Sequence, residues 1–246
     1  MQVPSVLPLF LDVIATENLL PSERCLDDCM ALAHAYAQLG IPAQVRAVQL
    51  VLTSASTRAV VRYGSLLPCW EKGMIHGHTV VWLPTLGHLV DVTAEQFPEI
   101  AALDGGPVIA GRPSGDCAPE LIQAKRKHLR MTYELAPLEI TTALLDHPVP
   151  RASIADYRRH GVNLATAAVS ILAESLSSAG LELMPHRRVA ALIEAVRELP
   201  KHETVTGDRR FLVPRPDGRP VTVQLDEIPL PAGTPPVTDL PWCRSD

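Results

Sequence analysis

The segment from Arg24 to Ala43, Arg-Cys-Leu-Asp-Asp-Cys-Met-Ala-Leu-Ala-His-Ala-Tyr-Ala-Gln-Leu-Gly-Ile-Pro-Ala, constrains the fold more than any other stretch. Leu32, Ala35, Tyr36 and Leu39 recur at three-to-four spacing, which predicts a helix with one buried stripe. Pro21 and Ser22 lie just upstream, with Ser22 the expected N-cap. Gly40 supplies the residue past the C-cap, and Pro42 stops continuation. A strand is predicted next, over 45–52. Cys25 falls in the first turn, where the positive end of the helix dipole favours thiolate. It is therefore a candidate nucleophile. Cys29, one turn on, shares its face and reads as a core residue.

A chain of 246 residues allows one large domain or two small ones, and 47% hydrophobic residues supply an ample core. A net charge of −5 without a long basic run argues against nucleic acid as the main partner. The first residues lack a positive n-region, and Pro4, Pro8 and Asp12 interrupt their apolar character. No apolar run approaches the roughly 20 residues a spanning helix needs, so no membrane partner is expected. The cysteines Cys25, Cys29, Cys69, Cys117 and Cys243 are odd in number and spread out. That pattern predicts a reducing, cytoplasmic setting rather than a disulfide scaffold.

Leu7, Phe10, Leu11, Ile14 and Leu19 predict an amphipathic helix over 7–20. After the Cys25 helix and its strand, 60–63 reads as a further strand and 64–73 as a loop. Residues 76–84 predict a strand with His78, Val80 and Trp82 on one face. A turn over 84–87 returns the chain as a second strand over 88–93. A turn about 85–87 sets Asp91 opposite roughly Val81, so reaching His78 needs an offset or a bulge. Residues 105–119, rich in Gly, Pro and Asp, mark the expected boundary between a domain over 1–115 and a C-terminal region over 116–246. In that region the basic cluster Lys125–Lys127 is expected on a solvated helix face or connecting segment, followed by an extended piece over 131–140. Helices are predicted over 154–160, 164–178 and 186–199. A hairpin about Asp217-Gly218 and a Pro-rich tail from Ile228 follow, with Trp242 as its anchor. The fold class is α+β, with helices on an antiparallel sheet and the Cys25 helix buried against it. The C-terminal region is mostly helical.

A cysteine nucleophile needs a base to take its proton and a third group to orient that base. Cys25, His78 and Asp91 supply these in chain order. A carboxylate on one imidazole nitrogen fixes the tautomer and stabilises the imidazolium that pairs with thiolate. His76 is expected at the cleft rim, Trp82 in the core, and Gln96 as a strand-end polar residue with an amide near the site. His34 lies too far along the helix to serve Cys25, and Asp27 and Asp28 suit the helix N-terminus. No ligand motif of known spacing appears, so neither metal nor cofactor is expected.

This order resembles the transglutaminase-like superfamily, part of the wider papain-like group of cysteine enzymes. In that family a cysteine begins a helix that ends about fifteen residues later in Leu-Gly-Ile-Pro-Ala. Counting back from Gly40 in Leu39-Gly40-Ile41-Pro42-Ala43 lands on Cys25, with Asp27 at a frequently acidic position. Gly77-His78-Thr79-Val80-Val81-Trp82 and Val90-Asp91-Val92-Thr93 match the histidine and aspartate segments. Arg24, Thr79-Val80 and Val92 depart from the usual neighbours. The resemblance spans about residues 20–100. It implies a papain/transglutaminase-like core and a thiol-dependent acyl-transfer enzyme acting on an amide bond through a Cys-His-Asp triad. Peptidase, amidase, deamidase and acyltransferase are all implied, with a peptide, protein or small amide as substrate. The alternative is a non-catalytic binding or scaffold protein that keeps the same fold.

Overall fold

A computed structural model describes residues 24–103, 106–112, 120–182, 184–204, 208–215, 218–240 and 242. The amphipathic helix expected over 7–20 and the N-cap expected at Ser22 lie outside them.

Helix α1 (Cys25–Gln38) begins at the predicted cysteine, with Arg24 as N-cap residue and no side-chain cap. Its end follows the predicted chemistry. Gly40 takes φ +71°, the Gly40 N–H bonds the Ala37 carbonyl at 2.9 Å, and the Ile41 N–H reaches Tyr36 at 3.0 Å. That pair of bonds is a Schellman motif, which needs the left-handed residue glycine allows. The single buried stripe is a correction, because every residue of α1 except Asp27 is buried. The helix is covered on both sides.

On one side lies an antiparallel sheet. Strands β1 (Gln44–Ser54), β2 (Val60–Gly64), β3 (Cys69–Glu71), β4 (Met74–His76), β5 (His78–Leu83) and β6 (His88–Asp91) follow in chain order. A short helix α2 (Pro98–Ala101) precedes β7 (Val108–Gly111), β8 (Leu121–Arg126) and β9 (Leu129–Leu135). The sheet runs β2-β1-β5-β6-β7-β8-β9, and β9 returns to pair with β1. Strands β1, β5, β6, β7, β8 and β9 therefore close a six-stranded barrel. β1 is long enough to hold β5 with residues 44–48 and β2 with residues 49–53 along one edge. Its other edge takes β9 through Val48–Ser54.

Period-two alternation divides β5 and β6 between two cores. Val80, Trp82 and Leu89 join Val48, Leu50, Leu52 and Tyr133 in the core inside the barrel. Val81, Leu83 and Val90 face outward into the core built around α1.

Several expectations change here. Residues 64–73 are not all loop, since β3 and β4 form a small hairpin of their own. The 120–130 stretch is neither a helix face nor a connector; it is β8 and its turn into β9. Alternating burial at Ile122 and Ala124 carries the strand, and the density of Lys and Arg obscured that alternation. Arg126 and Lys127 are spent on carbonyls of Gly106, Pro107 and Leu103. Residues 113–119 of the expected 115/116 boundary lie outside the described ones, and the barrel continues across it.

Helices α3 (Leu138–Leu145), α4 (Pro148–Ala152), α5 (Ile154–Ser175), α6 (Ser178–Glu182) and α7 (Arg187–Val196) come next. The extended reading of 131–140 thus ends early, because Pro137 is the N-cap of α3 rather than a strand residue. The two helices expected over 154–160 and 164–178 are one, α5. Gly161 did not interrupt it. Strands β10 (Lys201–Glu203), β11 (Arg209–Pro214) and β12 (Pro220–Val223) make a three-stranded sheet, with Gly218 in the final turn. Leu240 is buried and Trp242 packs on the α1 core, as an anchor would.

Helix α5 covers the face of α1 that the barrel does not. At their crossing, a Cβ on Gly161 would lie 2.4 Å from the His34 Cβ and 2.7 Å from the Ala31 carbonyl oxygen. Neither neighbour is the tip of a flexible chain. Gly161→Ala is therefore expected to destabilise the fold by about 1–3 kcal/mol, the usual range for overpacking, despite alanine's better helix propensity. A urea titration checks this, and an unchanged midpoint would mean that the two helices do not depend on this close approach.

Candidate active site

The site forms where α1 starts against the beginning of β5. The β5–β6 register pairs Val81 with Val90, one residue from the expected pairing, and continuing it sets Asp91 opposite Val80. Asp91 and His78 then share a face as diagonal neighbours, a separation long side chains span without a bulge. His78 Nε2 lies 2.9 Å from Asp91 Oδ2. Both residues are buried, at 2% and 0% exposure.

A buried carboxylate needs several donors to offset its lost hydration. Asp91 Oδ2 also accepts from the Tyr133 hydroxyl at 3.1 Å, and Oδ1 accepts from the Thr93 backbone N–H at 3.2 Å. Burial, and then Asp91, push the Tyr133 phenol well above its ordinary value, so it remains a donor. Tyr133 sits on β9 across the barrel from β5. Sequence reasoning missed it, because its only signal was an inward position on a strand that was read as an extended edge.

With Nε2 engaged, Nδ1 is the ring nitrogen left for the thiol, and His78 is close enough to Cys25 to lower it. Nδ1 also lies 3.2 Å from Gln96 Nε2, which bonds the Thr93 hydroxyl at 3.0 Å. The amide answers either protonation state. Its NH₂ donates to a neutral Nδ1, and after a half-turn its oxygen accepts from imidazolium. Phe97 meets the His78 ring edge-on at 4.9 Å between centroids. The 3₁₀ turn Ala94–Gln96 thus brings a residue expected only near the site into contact with the histidine.

Burial is the largest influence on Cys25 and opposes ionisation. His78 is the main influence against it, with Thr79 a smaller one, and together they hold the thiol below its ordinary value. Burial likewise disfavours a charged His78, but Asp91 first and Cys25 second raise it to about 10. Cys29 contrasts with Cys25. It is fully buried, donates to the Thr79 carbonyl at 3.3 Å, and burial followed by Cys25 raises it well above the ordinary value.

Cys25 opens into a cleft of about 410 Å³, lined also by Asp27, Trp70, Ile75, His76, Gln96 and Tyr157. This volume is typical of small-ligand sites. Asp27 accepts from Tyr157 at 2.6 Å and Arg24 approaches Asp28 at 3.6 Å, so both acids serve the start of α1. His76 lies on the β3–β4 hairpin rather than on the strand of His78, is half exposed, and pairs with Glu71 at 3.4 Å. His34 is buried toward the far end of α1, where burial lowers it to about 4. Among the described residues no group of three or more His, Cys, Asp or Glu comes together as a metal site. No described helix is long and apolar enough to cross a membrane.

The chain matches none of the protein-family models, curated proteins or solved structures with which it was compared.

The shifts fix a pH signature. Falling pH protonates Cys25 only below the ordinary thiol range, and His78 keeps its proton up to about 10. Iodoacetamide should therefore alkylate Cys25 with a pH midpoint below that of a free peptide thiol, about 8.5. Cys29 should stay unmodified in the folded protein. In His78→Ala burial stands without its main opponent, so the Cys25 midpoint should move up. Peptide mapping across pH 5–10 reads all three, and a Cys25 midpoint at or above the free-thiol value would refute the pairing.

Proposed function

We propose that the protein is a thiol-dependent acyl-transfer enzyme that cleaves an amide bond, with Cys25 as nucleophile, His78 as base and acid, and Asp91 as the group that orients His78. The observation that carries this reading is one histidine held through Nε2 by a buried carboxylate beside a thiol that opens a cleft, whose ionisation that histidine favours. On this reading the barrel and α1 are a variant of the papain/transglutaminase-like core, consistent with the sequence resemblance over about residues 20–100.

The proposed cycle starts from the thiolate–imidazolium pair. Cys25 Sγ attacks the substrate carbonyl carbon, and the electron pair of the C=O bond moves to oxygen. That oxyanion takes hydrogen bonds from the Cys25 backbone N–H and from the Gln96 amide, the donors that stabilise developing charge. When the carbonyl re-forms, the C–N bond breaks and the leaving nitrogen takes the proton from His78 Nδ1. The product amine departs and a thioester remains on Cys25. Neutral His78 then accepts a proton from water or from an incoming amine as that nucleophile attacks the thioester. Collapse expels the Cys25 thiolate and restores the pair. Water yields a carboxylic acid, and an amine yields a new amide. Asp91 stays ionised throughout and holds Nε2–H.

An activated ester tests the first half of this cycle. Incubation with p-nitrophenyl acetate should leave one acetyl group on Cys25, seen by mass spectrometry of the acid-quenched protein. Cys25→Ala should remove it, and His78→Ala should slow its formation about 10²–10⁴-fold, the usual worth of a positioned base. Acetylation that persists in Cys25→Ala, or that ignores His78→Ala, would favour the binding-protein alternative.

A further inference from the structure

Gly73, Met74, Ile75, His76 and Gly77 line the cleft without a gap. Side chains of a strand alternate between its faces, so five consecutive residues cannot all reach one cavity by side chains alone. Consecutive lining of this kind points to the outer backbone edge of β4 running along the cleft, with Trp70 of β3 reaching it by its side chain.

The preceding turn fixes which groups stand on that edge. Lys72 and Gly73 take φ +51° and +79°, the paired positive values of a type I′ hairpin turn. The closing bond of such a turn runs from the Met74 N–H to the Glu71 carbonyl, which makes Glu71/Met74 a hydrogen-bonded pair. Pairs alternate along an antiparallel ladder. Trp70/Ile75 is then a non-hydrogen-bonded pair, and the N–H and C=O of Ile75 point away from β3. Among the described residues, β4 pairs with β3 alone, and no other backbone hydrogen bond engages Ile75. An edge of this kind is a template for another strand.

We propose that the substrate is an extended peptide segment that adds to this edge, pairing its own N–H and C=O with those of Ile75. This rests on the thiol reading above and names what its cleft takes. A small amide has no second peptide group to satisfy both partners while its carbonyl meets Cys25, whereas a peptide does both along one line. The surroundings suit a peptide with apolar side chains. Met74 and Val149 line the cleft while 59% and 41% exposed, and an added strand would cover them.

Ile75→Pro tests the pairing on the protein side. It deletes the outward N–H, and an edge position whose N–H lies outside the ladder tolerates proline. Ile75→Ala removes the same side-chain bulk but keeps the N–H. The probe is a short capped peptide of Ala and Val carrying a chloromethyl ketone, beside the same peptide with N-methylated internal amides. Iodoacetamide serves as the thiol probe without a peptide backbone. On wild type and Ile75→Ala, the unmethylated peptide should alkylate Cys25 about tenfold faster than its methylated twin, the worth of one to two hydrogen bonds. On Ile75→Pro that advantage should vanish, each peptide rate being read as a ratio to the same protein's iodoacetamide rate. Equal rates for the two peptides on wild type, with iodoacetamide still labelling Cys25, would overturn the pairing and leave the thiol reading standing. Failure of every reagent to label Cys25 would overturn both. Should Ile75→Pro not fold, the comparison of the two peptides on wild type decides the matter alone.

Discussion

A carboxylate sealed inside a β-barrel has to be satisfied by the barrel itself, and the architecture of the site follows from Asp91. Its partners come from three places: His78 at the start of β5, Tyr133 on β9, and the backbone of Thr93 just past β6. Only closure of the barrel brings β9 to β1, and so brings Tyr133 to a carboxylate on β6. The pair is thus held by a shape, not by a loop. Removing one partner of such a buried set leaves the other polar groups stranded, which ties the integrity of the histidine to residues far away in the chain.

Helix α1 couples that barrel to the rest of the molecule. A helix buried on nearly all sides cannot be covered by a sheet alone, and α5 supplies the second wall. The close approach at Gly161 lets the two axes meet without side chains between them. Residues past 120 therefore take part twice, as β8 and β9 in the barrel and as α5 over the nucleophile helix. Tyr157 of α5 reaches Asp27 at the cleft, so the same helix that buries α1 also shapes the entrance beside Cys25.

The sequence exposed what depends on local rules. The start of α1 at Cys25, its stop at Gly40, and the β5–turn–β6 hairpin follow from spacing, a left-handed glycine and a turn signal, each readable within a few residues. The His78–Asp91 pairing was legible too, though one residue out of register, because turn length decides register and turn length is the least certain quantity in a hairpin. What escaped depends on partners distant in the chain. Tyr133 has no local mark of function, the β8 alternation hides among lysines and arginines, and nothing near Met131 announces that β9 closes on β1. The β3–β4 hairpin reads as loop in the sequence because three-residue strands carry too few residues for a periodic pattern. Gln96 reads as an amide near the site, and only the 3₁₀ turn after Asp91 brings it to His78.

Cys25 and Cys29 separate the causes that the sequence could only combine. Both lie in the first turns of one helix, and both are buried. Yet one thiol is lowered and the other raised. Burial raises both and cannot account for opposite signs. The difference is the histidine: Cys25 lies in the first residue of the helix, within reach of His78, while Cys29 lies one turn deeper and feels the charges of Cys25 and Asp91 instead. A buried acid that holds a histidine beside the first residue of α1 is what makes one cysteine a nucleophile candidate and leaves its neighbour a core residue.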